Sequence, residues 1–164
     1  MKVLLVYGDI GSGHASAARA LQEAFREVYG EAFDVEAVDL YKIADPAPWG
    51  NSDASATAFS QTALLRNLNY FYNVITDFGL GHYLLKQTIL RQTLEPYQNF
   101  FQAKKANLIV SLHPYTTITL RKLRQEGLKT PFAVVLTDLA SVLRGWADPN
   151  ADLTFSPTDE VTTA

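Results

Sequence analysis

Apolar and polar positions alternate with two different rhythms along the chain. Residues 3–7 form an aliphatic run closed by Gly8-Asp9, which predicts a strand covered on both faces. After Gly11-Ser12-Gly13-His14, the residues Ala17, Ala18, Leu21, Ala24, Phe25 and Val28 recur at three- and four-residue steps, the apolar face of a helix. Gly30 supplies a stop, and residues 34–40 alternate polar and apolar like a second strand. Strand, helix and strand in this order predict a βαβ unit with a right-handed crossover. Residues 45–51 carry two prolines and a glycine and break the pattern as a loop.

From residue 53 to 105 the rhythm is helical only. Residues 54–69 are rich in Ala and Leu, with Ser52 or Asp53 as possible caps. Residues 70–78 are dense in aromatics, punctuated by Gly79 and Gly81. In residues 89–101, Leu90, Leu94, Tyr97 and Phe101 share one face, and Pro96 is expected to kink or restart the helix. The strand rhythm then returns. Residues 108–112 predict a buried strand ending at His113-Pro114, and 115–125 a helix closed by Gly127. Residues 132–136 predict a strand ending at Thr137-Asp138, and 151–155 one more short strand. Thr158-Asp159-Glu160-Val161 has the signals of a helix start, which reads as the beginning of an element belonging to a longer protein. The expectation is one α/β domain over residues 1–164: a parallel sheet flanked by helices, with a helical, aromatic-rich insertion.

Composition narrows the chemistry. A formal charge of −3 speaks against a general nucleic-acid binder. With no cysteine, thiolate catalysis and thiolate-held metals are excluded. The histidines His14, His82 and His113 lack metal-ligand spacing, so no metal site is expected. No apolar run approaches the ~20 residues of a membrane span, and no cleavable leader is expected, which gives a cytoplasmic expectation. The insertion is different in character: between residues 59 and 105 it holds five Lys/Arg against two acids, a local basic excess on an acidic chain.

Ligands of an open parallel sheet sit beyond the carboxyl ends of its strands. Three polar groups fall there: His14, His113 and Asp138. A histidine beside a carboxylate makes a general base, the carboxylate fixing the tautomer and favouring the imidazolium. Gly11 and Gly13 leave backbone N–H groups at the helix start open to an anion. Blander readings stand beside these: His14 as a solvated first-turn residue, His113 as a turn residue, Asp138 as a cap, and the aromatic insertion as ordinary core. Gly8-x-x-Gly11-x-Gly13 with Asp39 closing strand two also mimics a dinucleotide-binding fingerprint, although Ser16 stands where the close-packing glycine belongs. The alternatives are therefore an oxidoreductase-type nucleotide domain and a non-catalytic peripheral membrane module.

Gly11-Ser12-Gly13-His14-Ala15-Ser16-Ala17-Ala18-Arg19-Ala20-Leu21 resembles the start of the family of monogalactosyldiacylglycerol synthases and processive diacylglycerol glucosyltransferases. The likeness continues in Ser111-Leu112-His113-Pro114, in Val135-Leu136-Thr137-Asp138-Leu139, and in Trp146 followed by Ser156-Pro157-Thr158-Asp159-Glu160-Val161. It implies the N-terminal, acceptor-binding half of a GT-B glycosyltransferase, a Rossmann-like domain. A second, donor-binding domain would follow it. On this resemblance His14 is the base that deprotonates a diacylglycerol hydroxyl, and Gly11, Ser12 and Gly13 lie near the diphosphate of a UDP-sugar co-substrate, with no cofactor. His113, Pro114, Thr137, Asp138 and Trp146 line the acceptor cleft. Residues 54–105 would meet an anionic membrane surface, making the protein peripherally associated. The chain departs from the family in Ala140-Ser141-Val142-Leu143-Arg144-Gly145-Trp146, where relatives usually carry a histidine before the tryptophan.

Overall fold

The computed structural model describes residues 1–9, 13–44, 79–137 and 148–159. In chain order these form β1 (Lys2–Tyr7), α1 (Gly13–Tyr29), a 3₁₀ turn (Gly30–Ala32), β2 (Asp34–Asp39), a second 3₁₀ turn (Leu40–Lys42), α2 (Gly79–Lys104), β3 (Leu108–Ser111), α3 (Pro114–Gln125), β4 (Phe132–Val135) and β5 (Leu153–Phe155). The five strands are parallel, in the order β2-β1-β3-β4-β5. This is the expected α/β, Rossmann-like sheet.

Alternation along β1 fixes the two layers. Leu4 and Val6 join Ile109, Phe132 and Val134 in a core closed by Tyr97 and Phe101 of α2 and Leu120 and Leu123 of α3. Val3 and Leu5 point the other way, into a smaller core with Val110, Leu112 and Ala18 of α1. Val3, Leu4, Leu5 and Val6 are all fully buried, which explains an unbroken apolar run where a half-exposed strand would alternate. Gly30 ends α1 in the left-handed region at φ +57, where a Cβ would be strained.

Three expectations need correction. Leu40 does not continue the second strand, which ends at Asp39: Asp39 Oδ1 accepts from the Tyr41 N–H at 3.0 Å and turns the chain into a 3₁₀ turn. Pro96 does not restart its helix, because α2 runs unbroken from Gly79 to Lys104. The bond that Pro96 removes is the one to the Gln92 carbonyl, and Gln92 and Glu95 are exposed, so the loss falls on the watery side. Gly81 likewise lies within α2 and does not break it. On the packed side of α2, Leu90, Thr93, Tyr97 and Phe101 are buried, and Thr93 Oγ1 meets Thr119 Oγ1 of α3 at 3.1 Å. This part of the aromatic insertion is core. Lys104 also ion-pairs with Glu36 of β2, which bonds Lys2 at 3.3 Å.

Candidate functional site

The strand order reverses between β1 and β3: β2 lies to one side, while β4 and β5 lie to the other. Connections leave the two central strands toward opposite faces, which opens a crevice beyond their carboxyl ends. His14 sits in the first turn of α1 after β1, and His113 lies two residues past β3 as the cap of α3. Their rings meet edge to face, with centroids 4.6 Å apart and planes at 82°. Ninety-nine residues of separation in sequence thus become a van der Waals contact.

His14 is half-buried, and its Nδ1 lies 3.1 Å from Thr137 Oγ1, two residues past β4. When Nδ1 carries the proton, the threonine oxygen accepts it and Nε2 bears the basic lone pair. Thr137 Oγ1 is thus placed where it can fix the tautomer of the His14 ring. Asp138, Gly11, Ser12 and Trp146 lie outside the described residues.

His113 is not the turn residue that its proline neighbour suggested. It is the N-cap of α3, with extended backbone (φ −152, ψ 137), and Pro114 opens the helix behind it. Its Nδ1 accepts from the Tyr115 N–H at 3.3 Å, which leaves the ring proton on Nε2. Its carbonyl accepts from Thr116 Oγ1 at 2.8 Å and from the Thr117 N–H at 3.1 Å. The rings of Tyr41 and Tyr115 pack against it at 5.6 and 5.1 Å.

Burial, and secondarily the neighbouring His14, hold the His113 imidazole well below its ordinary value. It stays neutral in the folded protein, while the unfolded chain protonates it near pH 6.5. The unfolded state therefore binds more protons as pH falls, and folding stability decreases below about pH 6.5 by up to about 1.4 kcal/mol per unit from this group. Urea unfolding between pH 7.5 and 5.5 is expected to show a shallower pH slope in His113→Asn, which keeps a capping oxygen, than in the parent. Equal slopes would disprove the neutral, buried assignment.

Gly13 is the first residue of α1 and is exposed, and a Cβ placed on it would meet no atom of the described residues within 4 Å. It stands at the positive end of a 17-residue helix, where backbone N–H groups favour an anion. Asp39, the acid of the dinucleotide-like reading, is buried, and its Oδ1 accepts from the backbone N–H groups of Tyr41 and Asp9. Its carboxylate ties the ends of β1 and β2 together. Desolvation raises its pKa, partly offset by those two backbone bonds. Among the described residues, no cluster of three or more His, Cys, Asp or Glu is placed to hold a metal ion, and no helix is long and apolar enough to cross a membrane.

Tyr41 and its seat on Gly8 were not singled out from the sequence. The only signal was an aromatic one residue beyond the apparent end of strand two.

The family model described as monogalactosyldiacylglycerol (MGDG) synthase matches residues 14–164. The chain is 28% identical over 172 residues to a probable chloroplastic monogalactosyldiacylglycerol synthase of Nicotiana tabacum, covering 98% of this chain and 30% of that protein. It is also 28% identical to monogalactosyldiacylglycerol synthase 1, chloroplastic, of Arabidopsis thaliana, with the same coverage. To the chloroplastic synthase of Spinacia oleracea it is 27% identical, covering 98% of this chain and 31% of that protein. The chain spans about a third of the length of these relatives. A family match that begins at His14 and runs through His113 and Thr137 embraces the three side chains that meet at the crevice, and the chain belongs to the monogalactosyldiacylglycerol synthase family.

Proposed function

We propose that this chain is the acceptor-side domain of a glycosyltransferase that moves a hexosyl group from a UDP-sugar to diacylglycerol, with His14 as general base. The observation that carries the reading is the seating of His14 at the strand-order reversal, its Nδ1 on Thr137 and its ring edge on a neutral His113. Nε2 takes the proton of the acceptor hydroxyl as that oxygen bonds to the anomeric carbon. The bond from that carbon to the diphosphate breaks, and UDP leaves with the electron pair. The positive end of α1 at Gly13 favours the departing negative charge. The sugar nucleotide is held mainly by a second Rossmann-like domain, for which the relatives' greater length leaves room.

The protein would work as a peripheral enzyme at an anionic membrane surface. The expected contact was residues 54–105; the buried stripe of α2 narrows it, since Tyr97 and Phe101 pack in the core with the sheet and Leu90 is buried. Tyr83, 56% exposed, is a described residue of α2 still presented outward.

The full-length protein given a UDP-hexose and diacylglycerol in vesicles should form a glycolipid. Thr137→Val should lower kcat by roughly 3- to 10-fold, the worth of one orienting hydrogen bond, and Thr137→Ser should restore most of it. No glycolipid from either UDP-galactose or UDP-glucose would overturn the proposed reaction, and a valine variant as fast as the parent would remove Thr137 from the machinery.

A further inference from the structure

We propose that Tyr41 is a positioning residue for His14 that acts through His113, and that position 8 is glycine to give the Tyr41 ring its place. The proposal builds on the reading of His14 as the base.

Tyr41 belongs to the 3₁₀ turn after β2 and is 7% exposed. Its backbone is fixed by Asp39 Oδ1, which also accepts from the Asp9 N–H at 3.3 Å, so the turn is tied to the loop leaving β1. Its ring lies directly over Gly8. A Cβ at that position would stand 2.7 Å from Cε2 and Cζ of Tyr41, closer than carbon atoms approach, so even alanine must push the ring away. On its other side the ring meets His113 at 5.6 Å with planes at 77°, and His113 meets His14 at 4.6 Å.

Gly8, Tyr41, His113 and His14 thus form one contiguous stack across the carboxyl ends of β1, β2 and β3. Thr137 closes it at β4. Among the described residues, His14 is held at its Nδ1 by Thr137 and at its ring by His113. The second point is only as firm as His113, whose own position depends on Tyr41 and on Tyr115. Among the described residues, the groups that face His113 are the His14 imidazole from α1, the phenol rings of Tyr41 and Tyr115, and the hydroxyls of Ser111, Thr116 and Thr117 on its carbonyl. Tyr41 has two effects in this arrangement. It wedges His113 against His14, and it keeps water from His113, so that the base has an uncharged neighbour. A cationic His113 would oppose the imidazolium that His14 becomes on accepting a proton.

The test is imidazole NMR on the intact protein with ¹³C-labelled histidine, using His14→Ala and His113→Asn to assign the signals. In the parent, the His113 midpoint should lie well below that of an ordinary histidine. Tyr41→Leu should raise the His113 midpoint and lower the His14 midpoint by about half a unit or more, whereas Tyr41→Phe, which keeps the ring, should leave both as in the parent. Gly8→Ala should move both in the same direction as Tyr41→Leu. Added to Tyr41→Leu it should move nothing further, because the ring it displaces is gone. Unchanged titrations in folded Tyr41→Leu, or a Gly8→Ala shift that adds to it, would overturn the proposal. If Tyr41→Leu does not fold, Gly8→Ala against Tyr41→Phe decides it: a shift in the first alone supports the proposal, and no shift overturns it. None of these readings depends on turnover. Loss of the base role would show as normal transfer by His14→Ala with the ring couplings intact.

Discussion

His14→Ala in the full-length protein is expected to lower sugar transfer by about 10²–10⁴-fold, the range for losing a positioned general base. That corresponds to about 3–5 kcal/mol in the barrier. The fall should appear in kcat, with the KM for diacylglycerol little changed, because the imidazole meets the acceptor at its reacting oxygen and contributes most as the proton moves. The acid limb of the pH–rate profile, set by protonation of this ring, should vanish with it. Alanine also leaves a ring-shaped gap between Thr137 and His113, two groups that do not depend on His14 for their own backbone positions. Added imidazole should therefore restore part of the rate. Near-normal turnover in His14→Ala would exclude His14 as the base.

The second large effect concerns stability. Tyr97 of α2 is 1% exposed, packs against Phe101, and donates its hydroxyl to the Ala44 carbonyl at 3.3 Å. Tyr97→Ala is expected to cost about 3–5 kcal/mol of folding stability in denaturant unfolding, from lost burial and the cavity left behind. Tyr97→Phe should cost only about 1 kcal/mol, the hydrogen bond alone. If Tyr97 instead served as a membrane anchor, the alanine variant would keep its stability and lose vesicle binding. A cost below about 1 kcal/mol would disprove the core assignment.

The sheet was legible because its strands are buried on both faces, so residues 3–7, 108–112 and 132–136 read as aliphatic runs with clear stops. Strand ends were less legible. Leu112 still donates its N–H to the Val6 carbonyl although β3 closes at Ser111, and Leu136 donates to Phe155 beyond the end of β4. Hydrophobicity continues past the regular ladder there, since the core extends further than the strand does.

Pro96 misled for the opposite reason: a local rule about helix breaking gave way to the packing of Leu90, Tyr97 and Phe101 on either side of it. At the site, His14, His113 and Thr137 could be named from strand ends and from the family resemblance, and their place at strand ends already allowed groups so far apart in sequence to converge. The parallel order β1-β3-β4 brings them together; the ring-on-ring contact and the Thr137 bond needed the coordinates of the side chains. The Tyr41 ring was hidden for a further reason. Its position depends on a missing side chain, and a glycine in a glycine-rich turn looks like every other glycine until the atom facing it is known.

The central pairing of β1 with β3 has a consequence for how the molecule assembles. The bond from the Lys2 N–H to Asn107 Oδ1 spans 105 residues, whereas the contact of the Met1 amine with the Ala32 carbonyl beside β2 spans 31. Closing the larger loop costs about 1 kcal/mol more in chain entropy, and such distant pairings slow folding because that cost precedes the reward of contact. The first βαβ unit has the shorter search, so it forms without reference to β3. His14 belongs to that early unit and His113 to the late one. The two imidazoles meet only once the longer loop is closed, so their contact reports that β1 and β3 have paired.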